Sequence, residues 1–202
     1  MKTRTDLLNH LAEKYNLNRY LEIGVQVPAL NFDKIKCEYK ISVDPDPKAH
    51  ATICKTSDKY FETEFSINSE FPEKYHKKFD LIFIDGLHTA EQVRKDFENA
   101  LKVLTHNGFI VLHDCNPDAY EKTMVPRPTK TGPWNGNVYK FAVSILSKSK
   151  NTVDIDNGCL VYRNTIHDIV PFTEECYITW ADFDTHRKEL LNLISWDEFS
   201  KI

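Results

Sequence analysis

Apolar positions along this chain recur with two different periods, and the switches between them outline an α/β fold. Leu7, Leu8, Leu11 and Tyr15 fall at helical spacing, which predicts an amphipathic helix over residues 5–16. Short apolar runs follow at Tyr20-Leu-Glu-Ile-Gly24, Tyr39-Lys-Ile-Ser-Val-Asp44, Phe79-Asp-Leu-Ile-Phe-Ile-Asp85 and Phe109-Ile-Val-Leu-His-Asp114. Continuous runs rich in Ile, Val, Leu and Phe read as strands buried on both faces of a parallel sheet. A shorter run, Ala51-Thr-Ile-Cys54, predicts one more strand before the helix-capping cluster Thr56-Ser57-Asp58. Thr89 is placed to cap a helix whose apolar face is Val93, Phe97, Ala100, Leu101 and Leu104. Further helices are predicted at about 137–149 and 180–194. Between them Asn157-Gly158 joins two short strands, a strong hairpin signal.

Each long strand ends on or near an acid: Glu22, Asp44, Asp85 or Asp114. In an open α/β sheet the ligand lies beyond the carboxyl ends of the strands. A row of carboxylates there is repulsive unless a ligand or cation answers it, which makes that edge a candidate site. Pro117, Pro126, Pro128, Gly132 and Pro133 forbid regular structure after Asp114. Loops of that length are commonly functional, and residues 115–135 are read as a substrate lid. The first crossover, residues 25–38 with Pro28, is unusually short.

Composition narrows the classes. A chain of 202 residues that is 41% hydrophobic can bury one sizeable core, so a single domain over 1–202 is the default. A net charge of -4 gives no electrostatic footprint for nucleic acid. No apolar run approaches the roughly 20 residues needed to cross a bilayer, and the start shows no apolar signal core. Five scattered cysteines without paired spacing read as reduced thiols in a cytoplasmic protein.

The element order resembles a class I S-adenosylmethionine (SAM) dependent methyltransferase over about residues 15–165. The implied fold is a Rossmann-like, doubly wound, mostly parallel seven-stranded sheet with a C-terminal antiparallel hairpin. More narrowly, Leu21-Glu-Ile-Gly24, Val43-Asp-Pro45, Phe79-Asp-Leu-Ile-Phe-Ile-Asp-Gly-Leu-His88 and Val111-Leu-His-Asp114 are similar to small bacterial and viral methyltransferases found with sugar-modifying enzymes. The Asp-Gly-x-His stretch is the most specific part. The resemblance implies that Glu22 and Gly24 hold the methionine part of SAM and that Asp44 accepts the ribose hydroxyls. Ser57 and Asp58 fall where the family contacts adenine, though helix capping accounts for them nearly as well. Where a glycine-rich loop usually continues, this chain has Val25-Gln26-Val27-Pro28, which assigns Gln26 a side-chain contact to the cofactor. Asp85 borders both the cofactor and the acceptor.

Asp85, His88, His113 and Asp114 form the expected chemical centre. Adjacent strand ends lie about 5 Å apart, so the two aspartates can face one another. A histidine suits general-base work near neutral pH. His88 is the first choice and His113 the second, because strand alternation sets His113 opposite Asp114. Asp85 and Asp114 are also the candidate ligands for Mg²⁺ or Mn²⁺. The neighbouring Cys115 is a poor Mg²⁺ ligand and Asn116 is its possible substitute, so the reading leans against metal dependence. Trp134, Asn135 and Tyr139 border the lid, where aromatic rings can stack on a sugar. His10, His50, His76, His106, His167 and His186 read as surface residues, and Lys74, His76, Lys77 and Lys78 as a solvated face. The aromatic residues of the last helix read as core, with a homodimer contact as the alternative.

The sequence therefore points to SAM-dependent methylation of a hydroxyl on a small sugar or glycan precursor. The alternatives are metal-dependent methylation of phenolic or natural-product hydroxyls, and a SAM-binding module without catalysis. A dinucleotide oxidoreductase is disfavoured because G-x-G-x-x-G is missing.

Overall fold

The computed structural model of the chain describes residues 1–64, 78–129, 131–145, 148, 150–165 and 177–202. Lys74, His76, Lys77, His167 and Cys176 lie outside the described residues. Thr3 opens the first helix, α1 (Arg4–Tyr15), with a capping box closed by Asp6, and Asn16 ends it in the left-handed conformation. There follow β1 (Arg19–Ile23), β2 (Tyr39–Val43), α2 (Ser57–Glu64), β3 (Phe79–Ile84), α3 (Ala90–Val103) and β4 (Leu104–Leu112). The remainder is α4 (Val138–Ser144), β5 (Lys150–Val153), β6 (Cys159–Arg163), α5 (Trp180–Leu191), β7 (Leu193–Ile194) and α6 (Trp196–Phe199).

One seven-stranded sheet runs in the order β2-β1-β3-β4-β6-β5-β7. Strands β2, β1, β3 and β4 are parallel, and β6 is antiparallel to both β4 and β5. The expected Rossmann-like sheet and its antiparallel hairpin are both present. Asp156, Asn157 and Gly158 turn that hairpin with three successive positive φ values.

Two strands differ from expectation. Ala51–Cys54 contributes only an isolated bridge, Ile53 to Val43. Its pairing is short because Thr52 and Ser42 bond through their side chains and Lys55 turns back onto the Ile53 carbonyl. The seventh strand is instead Leu193–Ile194, parallel to β5. The helix read as extending to 194 stops at Leu191 because Asn192 adopts φ 47, and Ser195 then caps α6.

Both faces of the sheet are covered. Leu7, Leu8 and Leu11 of α1 and Phe199 of α6 pack on Tyr20, Leu81, Phe83, Phe109, Val111 and Val161. Helices α2 to α5 bury the alternate set, including Leu21, Ile23, Ile82, Ile84, Ile110 and Leu112. Phe97 of α3 is fully buried and meets Phe141 and Tyr162 edge-on at 5.5 and 5.3 Å. The chain runs from β1 out to β2 and returns to β3 on the other side of β1. The topological switch point thus lies between β1 and β3, where ligands of such sheets bind.

The short first crossover contains only 3-10 turns, at Pro28–Leu30 and Phe32–Lys34. Between them Asn31 turns inward beneath β1 and donates to Glu22 at 2.9 Å, while the Tyr20 hydroxyl donates to the same carboxylate oxygen. Glu22 is 1% exposed, and burial pushes its carboxyl up to about 7, against the pull of these two donors. A carboxyl raised from an ordinary 4.5 contributes stability that is complete below that value and lost as pH rises through about 7. Glu22→Gln keeps an oxygen that both donors can reach and removes the charge. The variant is expected to melt above the wild type at pH 8 and to flatten the fall in melting temperature between pH 5 and 8. Equal slopes in calorimetric scans of the two proteins would contradict this account.

Candidate active site

Gly24 leaves β1 at φ +83, and a Cβ there would lie 2.1 Å from the Asp85 carbonyl oxygen. Only glycine lets the ends of β1 and β3 approach so closely. Asp85 N–H donates to Ile23 O at 2.8 Å, which ties the end of β3 to β1, while Gly24 N–H donates to Val43 O of β2 at 2.9 Å. Asp44, just beyond β2, accepts Val25 N–H and Gln26 N–H on Oδ2 at 2.9 and 3.1 Å. Its Oδ1 accepts Asp46 N–H at 2.8 Å. Asp44 therefore folds the loop after β1 over the end of β2, and Gln26 within that loop sits at φ 53.

Ser57 and Asp58 begin α2 and meet α3. Gln92 Nε2 donates to Asp58 Oδ1 at 3.0 Å, to Ser57 Oγ at 3.3 Å and to Asp96 Oδ1 at 3.1 Å. Asp96 is 1% exposed, its other oxygen has no hydrogen-bond partner, and burial pushes its carboxyl up to about 6. The sequence reading passed over Asp96. The signal was present, because it lies on the same face as Val93, Phe97 and Ala100, where an acid has no solvent.

Asp85, His88, His113 and Asp114 come together at the ends of β3 and β4. His88 Nε2 lies 3.3 Å from Asp85 Oδ1 and its Nδ1 lies 3.1 Å from Asp114 Oδ2. His113 Nδ1 is 3.2 Å from Asp85 Oδ1 and 3.4 Å from Asp114 Oδ1. Alternation does not separate His113 from Asp114, because Asp114 leaves the strand at φ 59 and swings its carboxylate back. Burial disfavours charge on both imidazoles, yet the facing carboxylates raise both pKa values. Asp85, also penalised by burial, is held below the usual carboxylate range chiefly by His113 and then by His88.

Two residues that the sequence reading did not single out complete this cluster. Asp156, at the hairpin turn, lies 3.7 Å from His113 Nε2, and contact with His113 holds its carboxyl down at about 2. Arg4, at the start of α1, bonds Asp156 at 3.4 Å and stands 3.3 Å from His113 Nε2. Nothing in their local sequence marks either one, since the contacts span 152 and 109 residues. Cys115 and Asn116 do not join. The Cys115 thiol points to the Leu112 and His113 carbonyls, and Asn116 bonds Asp154 and Arg187.

The segment after Asp114 lies over this cluster with one 3-10 turn, Tyr120–Thr123. Trp134 stacks on the His88 ring at 5.2 Å and 16°, and its carbonyl lies 2.9 Å from His88 Nδ1. Asn135 donates to Asp114 at 2.6 Å. Gly136 sits at φ +60, and a Cβ there would fall 1.8 Å from the His88 carbonyl oxygen. Asn137 then accepts Ala90 N–H at 2.6 Å, so the end of the segment is bonded to the start of α3. Tyr139 belongs elsewhere: it is 3% exposed and packs on Phe183 at 4.4 Å, in the core rather than the cleft.

Residues 32–115 match a family model described as a methyltransferase domain, a span from the first crossover through Asp114-Cys115. No curated protein matches the chain significantly. Among solved structures, a Staphylococcus aureus protein described as a candidate caffeoyl-CoA O-methyltransferase is 16% identical, with TM-score 0.53 over 81% of this chain and 85% of that one. An O-methyltransferase from Bacillus cereus in complex with S-adenosylhomocysteine (SAH) is 14% identical, with TM-score 0.51 over 79% of each chain. An SAH-bound methyltransferase from Podospora anserina is 18% identical, with TM-score 0.51 over 82% of this chain and 80% of that one. At such identities these likenesses establish the fold. The chain thus shares its fold with these methyltransferases, and residues 32–115 of it match a methyltransferase domain model.

Proposed function

We propose that this chain transfers a methyl group from SAM to a hydroxyl of a small acceptor, with a sugar or glycan precursor as the preferred acceptor. The observation that carries the reading is His88, held between Asp85 and Asp114 under Trp134 at the edge of the topological switch point. Bound SAM supplies a methyl group on a sulfonium, ready for in-line displacement. The solved neighbours from Bacillus cereus and Podospora anserina that hold SAH, the first described as an O-methyltransferase, support both the cofactor and the acceptor class.

The residues present fit this cofactor. Asp44 Oδ1 accepts one N–H only and keeps a lone pair for ribose hydroxyls. The orphaned Asp96 Oδ2, with Ser57 and Asp58 beside it, offers an acceptor to a ligand N–H. Gly24 and Gln26 shape the loop over the strand ends, and Glu22 sits beneath it with a carboxyl that titrates near neutrality. Asp44→Ala is expected to weaken SAH binding at least about tenfold, in line with the loss of a hydrogen bond to a charged group. An unchanged dissociation constant by calorimetry in a folded variant would remove Asp44 from the cofactor site.

On the acceptor side His88 takes the hydroxyl proton. The imidazolium so formed donates to Asp85 and Asp114, which hold it and favour the transfer. The same carboxylates raise the His88 pKa, so the neutral, proton-accepting ring prevails only above the ordinary 6.5. The rate should therefore climb with pH through a value above 6.5. His88→Gln should lower kcat by about a hundredfold or more, leave SAH affinity unchanged and abolish that limb. A wild-type limb surviving in the variant would assign the base elsewhere, with His113 next in line. The carboxylates and amide around the two imidazoles (Asp85, Asp114, Asp156, Asn135) suit an acceptor with several hydroxyls better than a flat phenol. A turnover assay against sugars and phenols tests that preference, and SAH binding without turnover on either would favour a binding module.

A second reading rests on a specific donor set. Single ligand atoms of Asp85, His113 and Asp114 lie within 4.8 Å of one another, and His113 Nδ1 is buried without a hydrogen bond. These three would hold a divalent cation as a Lewis acid for the acceptor hydroxyl, with Asp156 facing the other His113 nitrogen. One imidazole with two carboxylates suits Mn²⁺ better than Mg²⁺. Under the His88 reading, activity persists in EDTA; loss in EDTA with recovery on adding Mn²⁺ would replace it.

A further inference from the structure

A cavity of about 250 Å³ lies between α1, the first residues of β4's buried run, β5, β6 and the chain's last helix, at the opposite end of the strands from the acid–imidazole cluster. Its walls include His10, Lys14, Tyr15, Phe109, Asn151 and Arg163. Three of these six are basic. Among the described residues neither Lys14 nor Arg163 forms an ion pair; Arg163 lies over the Tyr15 and Phe109 rings at 4.8 and 5.4 Å, and Lys14 over Tyr15 at 5.9 Å. Arg163 Nε and His10 Nε2 are both buried with no hydrogen-bond partner. His10, expected at the surface, is instead a wall of this cavity, packed on Trp196 and Phe199.

Buried, unpartnered N–H groups are rare in folded proteins because each forfeits hydration without a replacement. A guanidinium braced on two rings presents a fixed fork to an oxyanion. Lys14 adds a second positive charge on the same wall, and burial together with Lys14 already disfavours a further charge on His10. Among the described residues the lining thus offers cationic donors and aromatic walls and no acidic side chain. We propose that it binds a compact anion, a phosphate or carboxylate group, through Arg163 and Lys14. The volume is below the usual range for drug-sized ligands, about 300–1,000 Å³, which limits the ligand to a small molecule.

Calorimetric titration of the full chain with inorganic phosphate, and separately with benzoate, tests the proposal. One-to-one binding of at least one probe is expected, weakened at least about tenfold in Arg163→Gln and in Lys14→Gln, each of which loses a charge-assisted contact. Binding of phosphate alone assigns the site to phosphoryl groups, and binding of benzoate alone to aromatic carboxylates. No heat with either probe, or unchanged affinity in a variant that folds, overturns it. If Arg163→Gln does not fold by circular dichroism, Lys14→Gln decides. The Arg163 Nε–H resonance of the wild type must in addition shift during the titration.

Discussion

Like charges crowded at one end of a sheet must be separated or answered, and here they are answered from within the chain. Asp85, Asp114 and Asp156 converge where strands end and where burial leaves little water to screen them. Two imidazoles and one guanidinium are interleaved among them: His113 touches all three acids, His88 two, and Arg4 closes the outer side. Each placement depends on a backbone feature elsewhere. Asp114 needs its positive φ, Asp156 needs the hairpin turn, and Arg4 needs the capped start of α1. The cluster is a junction of four elements that share nothing in local sequence.

The same junction ties the end of β1 and the segment after Asp114 to the ends of β3 and β4. Gly24 brings β1 so close to Asp85 that no side chain fits between them, and Gly136 brings the segment after Asp114 equally close to His88. Both glycines make these approaches backbone-to-backbone contacts that a side chain would block. His88 is touched from both directions, by Asp85 through one nitrogen and by Asp114 and the Trp134 carbonyl through the other. Any shift of the Trp134–Gly136 stretch therefore changes the surroundings of the proposed base.

Sheet, hairpin and helix caps were legible because each rests on local physics. Strand runs buried on both faces have only one composition, Asn-Gly has one preferred turn, and Thr89 caps α3 through its own side chain. Asp85, His88 and Asp114 were legible as strand-end residues for the same reason. The errors arose where tertiary contacts outvoted local pattern. Ala51–Cys54 found too little partner to remain a strand, and alternation misplaced His113 because Asp114 breaks the pleat. Tyr139 looked like a cleft residue until α5 was packed against it.

Asp96 is the intermediate case. Its spacing placed it on the buried stripe of α3, yet only the approach of α2 and Gly86 gave that burial a neighbourhood. Periodicity and turn chemistry act over a few residues, so the sequence by itself determined which elements form and which acids end up at the strand edge. Contacts spanning 21 to 152 positions in sequence decided what answers those acids: Arg4 and Asp156 around His113, and Asn135 on Asp114. Charge in a buried site is balanced in space, and a linear pattern carries no record of which distant cation will arrive.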